Sequence, residues 1–153
     1  MLTGWTNVTR YFLVDPWAHQ ADYVDAANVD QVSQEQILAE ARTNLDKPEW
    51  TPKVEFVRKM SFEAVKDFPD CHFDFIYVDA VHDYDGALVD LMDWWPKLKP
   101  GGVMAGHDYL TVIIPGDTIF GVKAAADRFA VAVNRPLYVT LGDGDYASFY
   151  MIK

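Results

Sequence analysis

Short runs of β-branched and aromatic residues alternate with helically spaced apolar residues four times along this chain, and two further strand-like runs close it. Tyr11 to Val14 (YFLV), stopped by Asp15-Pro16, reads as a buried strand, and the acidic, aromatic stretch from Trp17 to Val32 as a loop. Ser33 with Gln36 fits a capping box ahead of Ile37, Leu38, Ala41 and Leu45, and Lys47-Pro48 ends that helix. Val54 to Val57 is a second strand, and Ser61 caps a short helix with Phe62, Val65 and Phe68 on one face. Phe73 to Val78 (FDFIYV) is a third strand running into Asp79, followed by a helix through Ala87, Leu88, Leu91, Met92 and Trp95 to Pro96. Lys99-Pro100-Gly101-Gly102 is a turn, and Val103 to Ala105 is a fourth strand delivering Gly106-His107-Asp108. Ile113 to Phe120 reads as a loop broken by Pro115-Gly116, and Val122, Ala125, Ala126, Phe129 and Val133 mark another helix. Leu137 to Leu141 and Ala147 to Ile152 are joined by a turn at Gly142-Asp143-Gly144-Asp145, which suits an antiparallel hairpin. Alternation of this kind predicts an α/β fold: one doubly wound, mostly parallel sheet with helices on both faces, spanning residues 1–153 as a single domain.

Composition narrows the function. The 153 residues are half apolar, enough for a substantial core, and carry a formal charge of −10. That balance argues against nucleic acid and against an anionic membrane surface, both of which need clustered Lys and Arg. It is read as solubility, or as carboxylates gathered to hold a cation. The single cysteine, Cys71, excludes an intrachain disulfide and reads as a passive, partly buried thiol in a reducing compartment. With no signal-like N-terminus and no apolar run near the ~20 residues of a membrane span, a cytoplasmic protein is expected.

Open parallel sheets bind ligands at the carboxyl ends of their strands, so the residues found there are informative. They are Asp15; Lys59, Met60 and Ser61; Asp79; and His107 with Asp108. Asp79, His107 and Asp108 end two successive parallel strands that should lie ~5 Å apart. Two carboxylates and an imidazole with open positions suit Mg²⁺ or Mn²⁺, and they equally suit a helix-capping Asp79 beside ordinary loop residues. His82, near the start of the next helix, is a candidate general base or a surface residue. Asp83 and Asp85 fit the positive end of that helix. Asp15 fits either a ribose-binding carboxylate or a turn residue before Pro16. Trp95 reads as core, and His19 and His72 carry no pattern.

The stretch FDFIYVDAVHDYDGALVDLMDWWPKLKPGGVMAGHDY, followed by GVKAAADRF, resembles class I S-adenosylmethionine-dependent methyltransferases. Within them it is similar to the metal-dependent sugar and macrolide O-methyltransferases, and YFLVDPW fits that family's second strand. The combination D-x-x-H-x-Y, K-P-G-G and H-D-Y carries the likeness. The resemblance implies S-adenosylmethionine and a divalent metal as cofactors and a small hydroxylated molecule as acceptor. It implies Asp15 at the ribose, Met60 and Ser61 by the adenine, Asp79 serving cofactor and metal, Asp79, His107 and Asp108 as metal ligands, and His82 as the base. The family's first strand and glycine-rich loop have no counterpart here, so the fold is expected to be N-terminally shortened. The strand at Tyr11 should then pair directly with the strand at Phe73, with dimerisation helping to stabilise the sheet. A non-catalytic binding module with weak or no cofactor binding is the alternative implied by the missing loop. A metal-dependent hydrolase using Asp79, His82, His107 and Asp108 is a third reading, lacking the extra ligands of a two-metal site.

Overall fold

The computed structural model describes residues 7–48, 50, 53–113, 119–140 and 146–153. The chain divides into two compact units, Met1–Ala64 and Val65–Lys153.

In the first unit β1 (Tyr11–Val14) runs parallel to β2 (Val54–Val57), with Tyr11 opposite Val54 and Val14 opposite Val57. Between them lies α1 (Gln31–Leu45), which makes a β-α-β crossover of the expected kind. The helix begins ahead of the Ser33 capping box: Asp30 is the N-cap, and its carboxylate accepts the Ser33 N–H at 2.9 Å. Both residues are good caps, and the earlier one satisfies the first orphan donors. Leu38 is the buried anchor of α1, whereas Ile37 is exposed. A short helix, α2 (Ser61–Ala64), follows β2. Ser61 is its first residue, Met60 O takes the N–H groups of Glu63 and Ala64, and Phe62 lies outside the expected apolar face, exposed.

The second unit holds a four-stranded sheet in the order β3-β4-β8-β7, formed by Phe73–Val78, Leu98–Gly106, Phe149–Ile152 and Tyr138–Val139. Strands β3 and β4 are parallel, and β8 is antiparallel to both β4 and β7, so the expected closing hairpin is present. Its strands are shorter than the sequence suggested, and the turn at 142–145 lies outside the described residues. Successive residues Met104 and Ala105 are both buried, as an interior strand requires. The Lys99–Gly102 turn is instead part of β4. Phe73 faces Leu98 but Phe75 faces Val103, so these four residues bulge out of the ladder, with Gly101 at φ +78°. Residues expected to be loop also pair: β5 (Val112–Ile113) and β6 (Ile119–Phe120) form a two-stranded ribbon.

Helices α3 (Tyr84–Trp94) and α4 (Val122–Val133) pack on one another through small buried residues, Ala87 on one and Ala125 and Ala126 on the other. A single 3-10 turn, Trp95–Lys97, prolongs α3. Trp94 is the buried member of the tryptophan pair, while the partly exposed Trp95 meets Phe129 edge-on at 5.4 Å. The Lys153 ammonium caps this end of the helix by donating to the carbonyls of Trp95 (2.7 Å) and Leu98 (2.8 Å). Cys71, expected to be partly buried, is exposed in a left-handed turn at φ +53°.

One expected pairing is not among the ladders of the described residues: β1 is bonded to β2 and β3 to β4, with no β1–β3 ladder. Each strand finds its parallel partner across its own helical crossover, where the connection is shortest. Among the described residues no helix is long and apolar enough to cross a membrane.

Candidate functional site

The register of β3 and β4 decides what meets at their carboxyl edge. Val78 lies opposite Gly106, and the His107 N–H donates to Val78 O at 3.2 Å, so Asp79 and His107-Asp108 leave adjacent strands side by side. Gly106 is required by close approach: a Cβ there would lie 2.6 Å from the Phe149 ring. Beyond Asp79 the chain loops through His82 to Asp83, whose carboxylate accepts the Gly86 N–H at 2.9 Å and caps α3. Helix start and strand end thus enclose a short loop, and His82 sits on it.

Three donor groups converge. One ligand atom each from Asp79, His82 and Asp108 lies within 4.8 Å of the others. His82 Nε2 is 3.0 Å from Asp108 Oδ2, and His107 Nδ1 is 3.2 Å from Asp108 Oδ1, so each oxygen of one buried carboxylate faces an imidazole. Asp108 is 7% exposed and adopts φ +54°, a strained position that Asp tolerates better than most residues. Its neighbours hold it there. Tyr109 N–H donates to Ala147 O at 2.9 Å, and Tyr109 Oη donates to Asp127 Oδ1 at 2.6 Å.

Burial raises the Asp79 carboxyl above the usual carboxylate range, with His107 pulling it down, Asp108 pushing it up and His82 pulling it down. The side chain nevertheless keeps an exposed face. The cleft is lined by Asp79, His82, His107 and Asp108 together with apolar residues including Leu91, Val122 and Phe149, around a cavity of about 10 Å³, the size of one water. A small apolar-walled cleft with convergent polar groups is a common form of ligand site.

The first unit carries the remaining expected residues. Asp15 follows β1, and Met60 and Ser61 follow the parallel β2, so all three lie at one carboxyl edge of that pair. Asp15 Oδ1 accepts the Trp17 N–H at 2.5 Å; burial raises its pKa and this bond opposes the rise. Trp17 is buried against Phe56 at φ +42°. Arg58 secures that turn by donating to the carbonyls of Pro16 (3.2 Å) and Trp17 (3.0 Å) while paired with Glu35.

The structure therefore brings Asp79, His82, His107 and Asp108 together, and places Asp15, Met60 and Ser61 at the edge of another pair of strands. Sequence reasoning did not find Phe120, whose ring stacks on His82 at 4.8 Å between centroids, nor Arg58 behind the Asp15 turn. The Phe120-Gly121 pair ahead of an apolar helix was the available signal for the first.

Comparison with known proteins bears on the family and the fold. The model of a family described as "Methyltransferase domain" matches residues 3–109, more than half of the chain. A protein of Corynebacterium glutamicum superposes with a TM-score of 0.60 at 14% identity, over 99% of this chain and 64% of that one. An O-methyltransferase family protein from Burkholderia thailandensis has a TM-score of 0.60 at 12% identity, over 94% of this chain and 51% of its own. An O-methyltransferase from Bacillus cereus, solved in complex with SAH, has a TM-score of 0.54 at 18% identity, over 78% of this chain and 59% of its own. In sequence, an uncharacterized protein of Sinorhizobium fredii is 38% identical over 52 residues, which is 34% of this chain and 6% of that protein. The chain spans less than two thirds of the length of each of these relatives. The structures show the fold, that of class I S-adenosylmethionine-dependent methyltransferases, and the family match supplies the rest: the chain belongs to the methyltransferase-domain family.

Proposed function

We propose that this chain transfers the methyl group of S-adenosylmethionine to a hydroxyl of a small acceptor, with a divalent cation held in the cleft beyond β3 and β4. The observation that carries the reading is the convergence of Asp79, His82 and Asp108 within 4.8 Å at that edge, in a member of a methyltransferase family. Two carboxylates and an imidazole fit Mg²⁺, Mn²⁺ or a similar cation. Burial holds the Asp79 carboxyl above its ordinary value and the Asp108 charge adds to the rise; a bound cation would oppose both. When bound, the cation lowers the pKa of the acceptor hydroxyl, and the sulfonium supplies the methyl group.

The residues of this chain do the positioning. Asp79 and Asp108 fix the two oxygen donors. Asp15 accepts from the ribose hydroxyls, and Met60 with Ser61 borders the adenine. An imidazole beside Asp108 takes the hydroxyl proton, so the products are the methyl ether, S-adenosylhomocysteine and one proton. Holding the attacking oxygen in line with the methyl group is the main contribution.

The two imidazoles divide the remaining work. The sequence assigned His107 to the ion and His82 to the proton. The convergence of a His82 ring nitrogen with both carboxylates, and the 3.0 Å contact of its Nε2 to Asp108, favour the reverse, with His82 as the nitrogen ligand and His107 as the base. Calorimetric titration with Mn²⁺ separates them. Loss of the ligand, by His82→Gln or His107→Gln, weakens Mn²⁺ binding by roughly tenfold or more. Loss of the base leaves Mn²⁺ affinity intact and lowers kcat by about two to four orders of magnitude.

The decisive test is titration with S-adenosylhomocysteine, with and without Mn²⁺, followed by assay of methyl transfer to catechol-like and sugar acceptors. Cofactor binding, with transfer lost in Asp108→Ala, is the expected result. Absence of binding at millimolar cofactor would overturn the reading in favour of a non-catalytic binding module.

A further inference from the structure

We propose that Phe120 is a positioning residue for His82, fixing the imidazole plane so that Nε2 meets Asp108 within the cluster that includes Asp79; this rests on the reading of the cleft as the reaction site. The ring of Phe120, 8% exposed, lies nearly parallel to His82, at 4.8 Å and 17°. Its plane also lies at 16° to that of Tyr146, at 5.8 Å, which makes a ladder of three rings, His82–Phe120–Tyr146. A side chain held this way keeps one orientation, because turning the imidazole breaks the stack as well as the 3.0 Å contact to Asp108 Oδ2.

The backbone ties the two residues together as closely as the rings do. The N–H of Gly121, next to Phe120, donates to the His82 carbonyl at 2.7 Å. Gly121 itself is pressed on the first turn of α3, where a Cβ would lie 2.5 Å from Tyr84 N. No larger residue allows that approach without displacing α3 or α4. The His82 loop is thus gripped on its main chain by Gly121 and on its ring by Phe120. Asp108 Oδ2, 3.0 Å from Nε2, faces the edge of the imidazole that the reading of the cleft gives to the cation.

The experiment compares Phe120→Leu, which keeps an apolar side chain but removes the flat face, with Phe120→Tyr, which restores it. The readouts are the NMR shifts of the His82 ring protons, the Mn²⁺ affinity and kcat. In the unaltered protein the ring current of Phe120 moves a His82 carbon-bound proton upfield of its random-coil position. Phe120→Leu abolishes that shift, and it weakens whichever quantity His82→Gln weakens, Mn²⁺ affinity or kcat, by roughly tenfold. Phe120→Tyr recovers both to within about twofold of the starting protein, on the same warrant. A His82 proton at its random-coil position in the unaltered protein overturns the proposal without any variant. So does Phe120→Leu with an unchanged thermal transition and unchanged affinity and kcat. If the protein binds no Mn²⁺ and transfers no methyl group, the reading of the site fails, and the upfield shift alone still decides whether Phe120 holds His82.

Discussion

Asp15 and Asp108 show how single residues at strand ends are recruited here at some cost. Burial raises the Asp15 carboxyl, so the folded chain holds that proton more tightly than the unfolded one. The sign follows from linkage. The group's contribution is most favourable below the unfolded carboxylate pKa, and it declines as pH rises through the folded value. Asp15→Asn keeps an oxygen for the Trp17 N–H and removes the charge, so its melting temperature at neutral pH should equal or exceed that of the parent. The difference should vanish in acid. S-adenosylhomocysteine affinity should nevertheless fall, because an amide is a weaker acceptor for ribose hydroxyls. A lower melting temperature at neutral pH would show that the carboxylate is structural. Asp79, His107 and Asp108 were legible because each follows a run of strand-forming residues, and a strand end is a place as well as a residue. That His82 belongs with them was legible too, as the candidate base; the closeness of its ring to Asp108 was not. It depends on the loop turning back from Asp79 to the Asp83 cap, and on Phe120 arriving from a distant segment.

Among the elements, YFLV, VEFV and FDFIYV announced themselves as short runs rich in β-branched and aromatic residues, and all three are strands with the expected ends. Boundaries set by competing caps were harder. Asp30 and Ser33 are both good N-cap types, and only the structure shows the Asp30 carboxylate on the Ser33 N–H. Asp30→Ala should cost about 1 kcal/mol of stability by denaturant titration, whereas Ser33→Ala should change it by under about 0.5 kcal/mol. A larger loss at Ser33 would restore the capping box as the true start of α1. The β5–β6 ribbon escaped notice because strands of two residues have no period to read.

For the molecule as a whole, the alternation of strand and helix identified the α/β class, and the acidic balance pointed away from polyanionic partners. The division into Met1–Ala64 and Val65–Lys153 was not legible, since no glycine- or proline-rich linker marks it and the boundary falls where α2 passes into a 3-10 turn. Ligand binding should register in the thermal transition. S-adenosylhomocysteine at a hundredfold excess over its Kd should add about 2.7 kcal/mol, roughly 5–10 °C in a thermal melt of a protein this size. A melting temperature unmoved by saturating ligand would argue that the chain binds none.

The Lys99–Gly102 bulge in β4 has a bearing on how relatives of this chain can vary. Those residues sit outside the β3 ladder, although Gly101 and Gly102 exchange main-chain hydrogen bonds with Lys153, so length gained or lost at Lys99–Pro100 is absorbed before Val103 resumes its place opposite Phe75. Between Val103 and Gly106 the ladder is continuous, and one inserted residue would turn every later side chain to the opposite side of the sheet. Insertions and deletions should therefore be tolerated at Lys99–Pro100 and purged from the stretch that follows. The bulge is where this strand can change length without moving Asp108.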